Sequence, residues 1–487
     1  MDYFQYGEIR QWREAYKQFC AGYIPSNENN LQNVFTPHSL CHDILKKLDE
    51  VSDVLRVEDS KILCLNLEFV EELIEFFKVK KDRITFVTDS ISKISFANLD
   101  RYNGINVVLV DFLSDEWRKN MKFDVVVGNP PYQTKSDDNN TKTQAIWPEF
   151  IKLSCDFTKE NGYTCLVHPS GWRGASKAFE VAKSILEKQV ECLEIHNEQD
   201  GLKTFGATTR YDWYVRKNTP VTHSTEVKDQ DGKVICVNLD GVNFIPNSQL
   251  DRIFSMLANN QEVSVEIISD SSYHTQRTER ISKIKRDSFI YPVIYSTPVD
   301  GPTIWYSNTN QNGHFGISKL ILNPCRPIGF VIDENGEYGM SQFCIGIVGD
   351  IDYLNMVAKV IKNQKTNGFA EFMESCHFTD KIFNKDIISL FRKDFWKEFV
   401  NEDGSKKEAE QDSRINEINT QMANSREKVD TPTCLQNTET VHDNNTYKQT
   451  QKLTTSGEHI YNLISGKRGR PMEFVNRNET FIPLKSL

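Results

Sequence analysis

The residues best suited to chemistry are Asn129, Pro130, Pro131 and Tyr132, which follow the apolar run 123–127. Prolines cannot continue a β-ladder and restrict the preceding residue to extended geometry, so this turn is stiff and the Asn129 side chain has a fixed direction. The Asn129 amide oxygen and the Pro130 carbonyl could accept both hydrogens of an exocyclic amine, leaving the nitrogen lone pair available for attack. Tyr132 offers a ring for stacking a planar base, which contributes ~1–3 kcal/mol. An ordinary proline-stiffened turn is the alternative interpretation.

Elements able to position these residues lie between residues 31 and 218, where short Val- and Ile-rich runs alternate with longer helical segments. Near-continuous apolar runs separated by helices are typical of a parallel sheet that is covered on both faces. The sequence therefore predicts an open α/β sheet with its ligands at the carboxyl ends of the strands. The runs are 61–66, 83–88, 105–110, 123–127, 163–167 and 211–215.

The tetrapeptide Asn-Pro-Pro-Tyr at 129–132, following a buried strand, resembles the motif of the gamma-class DNA adenine-N6 methyltransferases of the restriction-modification type. The resemblance covers roughly residues 31–218. It implies a Rossmann-like, S-adenosylmethionine-dependent methyltransferase sheet, followed by a C-terminal mixed α+β target-recognition domain. It also implies that residues 129–132 hold the target adenine, which must be flipped out of the duplex before it can react.

The same resemblance implies a set of residues that bind S-adenosylmethionine. Phe35 and Thr36 belong to a Phe-Thr-Pro element that packs against the cofactor. Asp89, after the run 83–88, corresponds to the acidic residue that binds the ribose hydroxyls. Asp111 and Phe112, after the run 105–110, match the pair that contacts the cofactor's adenine.

The sequence departs from the family at the loop after the first strand, where a glycine-rich turn normally lets the backbone approach the cofactor closely. Residues 63–73 contain no glycine. One interpretation is that Asn66 and Glu68 make a rebuilt cofactor contact. The other is that the protein has lost affinity for S-adenosylmethionine and binds DNA without chemistry.

Double-stranded DNA is the expected partner, although the chain carries a net charge of −10. DNA must then be held by a local cationic surface. Five basic residues fall within ten positions and could neutralise several phosphates; a solvated face is the alternative interpretation. They are Arg277, Arg280, Lys283, Lys285 and Arg286. The polar stretch 133–144 is either a loop that closes over the flipped nucleotide or an unconstrained surface loop.

Changes in composition predict four segments. They are a helical extension over 1–30, the catalytic domain over 31–218, the target-recognition domain over 219–400 and a polar, partly disordered tail over 401–487, whose residues 467–471 weakly resemble an AT-hook. No run approaches the ~18 apolar residues of a membrane span, and the start lacks a signal peptide, so we expect a cytoplasmic protein. The eleven scattered cysteines predict reduced thiols and no metal site.

The sequence thus predicts a site-specific DNA adenine methyltransferase that acts by base flipping and is expected to be a monomer. A separate restriction endonuclease is left open as a second partner. The alternatives are a methyltransferase-like DNA-binding protein that has lost its cofactor, or an enzyme that methylates protein glutamine amides or RNA guanine amines. A segment of about 180 residues after the catalytic half favours a long polymeric substrate with a sequence to be recognised.

Overall fold

The computed structural model describes residues 35–89, 93, 100–113, 121–133, 144–174, 179–277, 279–325, 329–378, 383–405 and 407. The predicted helical extension over 1–30, most of the predicted loop over 133–144, and the predicted tail beyond residue 407 lie outside these residues.

A nine-stranded sheet in the order β3-β2-β1-β4-β5-β7-β6-β8-β9 forms the first half of the described chain. Strands β3, β2, β1, β4 and β5 are parallel, and β7 runs antiparallel to both β5 and β6. The chain reverses its direction of winding between β1 and β4, which is where ligands bind in open α/β sheets. The predicted Rossmann-like fold class is confirmed. The strands are β1 (Ile62–Cys64), β2 (Ile84–Thr88), β3 (Asn106–Leu109), β4 (Phe123–Gly128), β5 (Thr158–Pro169), β6 (Val190–His196), β7 (Tyr211–Lys217), β8 (Thr225–Lys228) and β9 (Val234–Val237).

Helices cover both faces of this sheet, because successive strand residues point to opposite sides. Ile62 and Cys64 of β1 belong to the core cluster that includes helices α1 and α2. Leu63 belongs instead to the cluster that contains Phe150 and Phe157 of α3. The helices of this half are α1 (His38–Val51), α2 (Leu67–Glu75), α3 (Trp147–Phe157), α4 (Phe179–Leu186) and α5 (Glu198–Phe205).

The sheet continues past residue 218, where the sequence predicted a domain boundary. Strand β8 pairs in parallel with β6, and β9 pairs with β8. The break at Thr219 and Pro220 is therefore a connection between strands of one sheet. The sequence did not predict β6 and β8, because charged residues interrupt their apolar pattern. In the structure Glu194 of β6 forms an ion pair with Lys228 of β8 at 2.8 Å.

Among the described residues of the second half there are two four-stranded sheets, ordered β10-β17-β14-β15 and β11-β13-β12-β16, and four α-helices. The predicted mixed α+β content of this region agrees with these elements. Its strands are β10 (Ile267–Ile268), β11 (Ile281–Ser282), β12 (Tyr291–Ser296), β13 (Thr303–Ser307), β14 (Lys319–Leu322), β15 (Phe330–Asp333), β16 (Gly339–Met340) and β17 (Ile345–Val348). Its helices are α6 (Leu250–Ser255), α7 (Ile351–Lys362), α8 (Phe369–Ser375) and α9 (Lys385–Ile388).

A buried arginine joins the first sheet to the segment that leads into the second half. The Arg173 guanidinium donates to Asp212 Oδ2 on β7 at 2.6 Å, and to the carbonyl of Ile245 at 2.9 Å and Oδ1 of Asn247 at 2.8 Å. Asn247 donates in turn to the carbonyl of His377 at 2.7 Å. The Arg173 and Asp212 side chains are fully buried, so this network is part of the core.

Within the described residues, none of the helices combines the length and the apolarity that crossing a membrane requires. The cysteines in this part of the chain are free thiols. The same part contains no group of three or more His, Cys, Asp or Glu side chains arranged to hold a metal ion.

Candidate active site

The candidate site lies where the parallel strands β1 and β4 end side by side. Cys64 of β1 is in register with Val127 of β4, and the ladder continues as the Leu65 N–H donates to the Val127 carbonyl at 3.0 Å. Asn66 follows Leu65 directly, and Asn129 lies two residues after Val127. Pairing of the two parallel strands thus brings these two asparagines together.

Asn66 holds the backbone of Asn129 at both ends. The Asn129 N–H donates to Asn66 Oδ1 at 2.6 Å, and Asn66 Nδ2 donates to the Asn129 carbonyl at 3.0 Å. Both residues are buried. Asn66 precedes the first turn of α2, but its side chain makes no capping hydrogen bond to that helix. The amide predicted to touch the cofactor is instead engaged by the loop that carries Asn129.

Thr36 fixes the side chain of Asn129. Asn129 Nδ2 donates to Thr36 Oγ1 at 3.1 Å, and the Thr36 N–H donates to Glu68 Oε1 at 2.9 Å. Burial raises the pKa of the Glu68 carboxyl above its ordinary value, while the hydrogen bond from Thr36 opposes that rise. Residues from three separated segments of the chain therefore determine the direction of one amide.

The other end of the Asn129 amide is a buried acceptor. Asn129 is 3% exposed, and its Oδ1 has no hydrogen-bond partner among the described residues. Leaving a buried polar atom unsatisfied costs about 1–3 kcal/mol, and such atoms are rare in folded proteins. The sequence predicted that this oxygen accepts a hydrogen bond from the target amine.

Tyr132 packs against aromatic residues behind the loop. Its ring is half-buried and contacts the core cluster that contains Trp147 and Trp172. Burial raises the pKa of its hydroxyl, which has no hydrogen-bond partner among the described residues. The Ile146 N–H donates to the Tyr132 carbonyl at 3.1 Å. The tetrapeptide is thus anchored at both ends, with Pro130 buried and Pro131 half-buried between them.

The ends of the predicted closing loop are also held together. Gln133 and Ala145 form an antiparallel bridge directly after Tyr132 and before α3. Residues 134–143 lie outside the described residues, so closure over a nucleotide stays a prediction.

The remaining predicted cofactor residues lie near the same edge of the sheet. Phe35 packs edge-on against His38, with ring centroids 6.1 Å apart. Asp89 is half-buried directly after β2. Asp111 is exposed after β3, and its Oδ1 accepts a hydrogen bond from the Leu113 N–H at 2.9 Å.

Phe112 differs from the prediction in its packing. Its ring is 6% exposed and stacks on Phe150 of α3, with centroids 5.1 Å apart and planes 2° from parallel. Phe112 is therefore a core residue of the face covered by α3. Leu67 and Phe69 of the glycine-free segment are also fully buried, in the core cluster on the opposite face.

A group of charged residues that the sequence did not predict holds α1 against α2. The imidazole of His38 lies 3.3 Å from Glu71 Oε2 and 3.1 Å from Glu72 Oε1. Arg101 lies 3.1 Å from Glu71 Oε1. Both glutamates are buried, although glutamates on a short helix ordinarily indicate a solvated face. Because Phe35 and Thr36 directly precede α1, this group helps to place them beside Asn129.

The predicted DNA-binding residues lie apart in sequence from these groups, in the segments before and after β11 in the second half. Arg277, Arg280 and Lys283 flank β11, and Lys285 and Arg286 belong to the connection from β11 to β12. Arg280 is half-buried, and the other four, Arg277, Lys283, Lys285 and Arg286, are exposed.

Comparisons with known proteins match the catalytic half. Residues 46–205 match the family described as Eco57I restriction-modification methylase. The chain is 29% identical over 350 residues to modification methylase CviBIII of Paramecium bursaria Chlorella virus NC1A, across 67% of this chain and 85% of that protein. The predicted resemblance to restriction-modification methylases is confirmed.

Solved structures are more distant. A cryoEM structure of a DrdV–DNA complex aligns with 79% of this chain and 58% of its own chain, at 12% identity and a TM-score of 0.48. A class I S-adenosylmethionine-dependent methyltransferase from Listeria monocytogenes aligns with 45% of this chain and 73% of its own, at 15% identity and a TM-score of 0.35.

Proposed function

We propose that this protein transfers a methyl group from S-adenosylmethionine to the N6 amino group of adenine in duplex DNA, after flipping the base out of the helix. The observation that carries the proposal is the buried Oδ1 of Asn129 at the carboxyl end of β4, which no described residue of the chain satisfies. An amide oxygen buried without a partner is suited to accept a hydrogen bond from a bound amine.

Asn129 and Pro130 would act together on the amine. Asn129 Oδ1 accepts one N–H, and the Pro130 carbonyl accepts the other. These bonds draw the nitrogen lone pair out of conjugation with the adenine ring and direct it away from the loop. Tyr132 stacks on the base, and Pro131 keeps the carbonyl of Pro130 in a fixed direction.

The residues at the edge of the sheet fit S-adenosylmethionine. The half-buried Asp89 carboxylate suits ribose hydroxyls, and Asp111 suits an adenine amine, with Phe35 as an apolar wall. When bound, S-adenosylmethionine supplies an electrophilic methyl carbon on a sulfonium. Asn129 and Pro130 would hold the amine nitrogen toward that carbon, and the nitrogen would lose one proton to solvent after accepting the methyl group. Catalysis is mainly alignment and polarisation by prearranged groups.

Asn66 has a different task from the predicted contact with the cofactor. Both ends of its amide bind the backbone of Asn129, so we assign it to positioning the acceptor. Glu68 supports the same acceptor through Thr36.

The test is to incubate the purified full-length protein with unmodified DNA and S-adenosylmethionine, digest the DNA, and measure N6-methyladenine by mass spectrometry. We expect N6-methyladenine, and about a 100-fold or greater loss of rate in Asn129→Ala, as for other prearranged polar groups. Asn355→Ala, at an exposed position of α7, is the matched control and should retain activity.

The second candidate is a DNA-binding protein without methyl transfer, which the bulky, glycine-free turn after β1 favours. Titration calorimetry with S-adenosylmethionine separates the two. Absence of both cofactor binding and methylated product, alongside saturable DNA binding, would replace the first proposal with the second.

A further inference from the structure

The connection from β11 to β12 presents an apolar side chain among cations. Residues 283–288 are all exposed, and Ile284 is 71% exposed between Lys283 and Lys285. A single exposed apolar residue needs no explanation by itself. Here its neighbours, its backbone and its charge environment all point to the same kind of ligand.

Local hydrogen bonds constrain the backbone of this loop. Ser282 Oγ donates to the Ile284 carbonyl at 2.9 Å, and the Ile284 N–H donates to Ser282 Oγ at 3.2 Å. Arg286 and Phe289 form an antiparallel bridge that closes the other end. Ile284 is therefore displayed outward by a constrained turn.

Two of the cations are oriented by aromatic rings. Lys283 Nζ lies 5.4 Å from the centroid of Trp305, and the Arg286 guanidinium lies 5.7 Å from that of Phe289. Trp305 itself stacks on Tyr295, with centroids 4.0 Å apart. Cation–π contacts of this kind hold the charged groups beside Ile284 without neutralising them.

Carboxylates do not neutralise most of these cations. Within the part of the chain that the structure describes, only Arg280 of the five predicted DNA-binding residues has a carboxylate within 4.0 Å, namely Glu279 at 3.9 Å. Arg277, Lys283, Lys285 and Arg286 are thus available to an external anion. Duplex DNA fits this surface, because it carries closely spaced phosphates on the outside and stacked, apolar base faces inside.

We propose that Ile284 inserts between base pairs as a wedge while Lys283, Lys285 and Arg286 bind the flanking phosphates. Apolar side chains inserted between base steps unstack and kink the duplex, which lowers the cost of extruding a base. The proposal rests on DNA being the substrate of the proposed function. An anionic membrane is a weaker fit, because one isoleucine offers far less apolar area than an interfacial helix.

The experiment measures unwinding of relaxed, closed-circular, unmodified plasmid by the full-length protein, as a change in linking number after topoisomerase treatment and protein removal. S-adenosylmethionine is left out. We expect wild-type protein to unwind the plasmid and Ile284→Ala to lose most of that unwinding at equal DNA occupancy. Val263→Ala is the matched control, because Val263 is also 71% exposed, and it should unwind like wild type.

A second variant tests the phosphate contacts. Lys283→Ala/Lys285→Ala should weaken plasmid binding and lower the slope of log affinity against log salt by roughly two, about one for each lost contact. Permanganate reactivity of thymines near bound protein should fall in Ile284→Ala, because fewer bases are unstacked.

Three outcomes would overturn the wedge: no unwinding by the wild type, wild-type unwinding by Ile284→Ala, or an unchanged salt slope in the double lysine variant. Binding of the loop to phosphatidylserine vesicles, abolished by Ile284→Ala while plasmid unwinding is unaffected, would assign the loop to a membrane instead. Failure of methyl transfer is distinguishable from all of these, because unwinding is measured without the methyl donor.

Discussion

At the scale of single residues, Asn66 uses both polar atoms of its side chain to hold the backbone of Asn129. Its amide satisfies the N–H and the carbonyl of Asn129, which would otherwise be buried without partners. Thr36 then orients the Asn129 side chain through Nδ2. The acceptor Oδ1 is thereby fixed before any base arrives, which is the arrangement that electrostatic catalysis requires.

We expect Asn66→Ala to slow methyl transfer by at least about tenfold and to destabilise the protein by about 1–3 kcal/mol, because buried backbone groups lose their partners. Single-turnover methylation and urea unfolding measure the two effects. Asn66→Asp keeps the acceptor for the Asn129 N–H, so part of the rate should return. DNA affinity should not change in either variant. A loss of DNA affinity with an unchanged rate at saturation would show that Asn66 acts in binding and not in positioning.

At the scale of elements, the ends of β1 and β4 pack closely because a large residue after β1 lies opposite a glycine at the end of β4. The loop after β1 carries Leu65 and no glycine, and Gly128 ends β4 opposite it. A Cβ at position 128 would lie 2.5 Å from Leu65 Cβ and 3.0 Å from Asn66 Oδ1. The only residue that fits opposite Leu65 without moving a strand is therefore glycine.

Gly128→Ala should separate β1 from β4 and displace Asn129. Overpacking of this kind costs about 1–3 kcal/mol, and we expect the methylation rate to fall more than the affinity for DNA. Gly128→Ala/Leu65→Gly removes the clashing Cβ and Cγ at position 65 and should recover part of the methylation rate. Thermal unfolding and single-turnover methylation test this, and a fully active, fully stable Gly128→Ala would contradict the packing argument.

The sequence predicted β1 to β5 and β7, because each of these strands contains a mostly apolar run; β3 is nevertheless an edge strand without a buried residue. It missed β6, which contains Glu191, Glu194 and His196, and whose Glu194 pairs with Lys228 on the neighbouring strand. It also missed the role of Glu71 and Glu72, because a sequence does not reveal that His38 and Arg101 lie beside them. An apolar sequence pattern predicts a buried strand well when the strand carries no charged residue that pairs with a neighbouring strand.

At the scale of the whole molecule, the Arg173 network joins the catalytic sheet to the segment before α6. Arg173 is fully buried with Asp212, and burial lowers the pKa of its guanidinium while Asp212 opposes that change. A buried pair of this kind specifies one arrangement, because each partner is costly when left alone. The predicted boundary at residue 218 therefore falls inside a connected structure. A separate target-recognition domain, a monomeric state, a cytoplasmic location and an endonuclease partner stay predictions.

We expect Arg173→Met to lower the free energy of unfolding by about 3–5 kcal/mol, since it leaves the Asp212 carboxylate buried without its cation. Lys233→Ala is the control for loss of a surface ion pair. Lys233 and Asp251 lie 3.4 Å apart with side chains 59% and 43% exposed, so this change should cost less than about 1 kcal/mol. Urea denaturation measures both. Equal effects of the two substitutions would contradict the structural role of Arg173.

The sequence by itself determined the α/β class of the first half, the stiff turn at 129–132 and the basic cluster at 277–286, because these depend on local apolar pattern, proline geometry and charge. The tertiary structure decided which atoms meet. It pairs Asn66 with Asn129, places Thr36 between Asn129 and Glu68, and packs Phe112 into the core. Such contacts join residues separated by 32 to 93 positions, and their geometry depends on strand register and helix packing. These are properties of the folded chain that no local pattern contains.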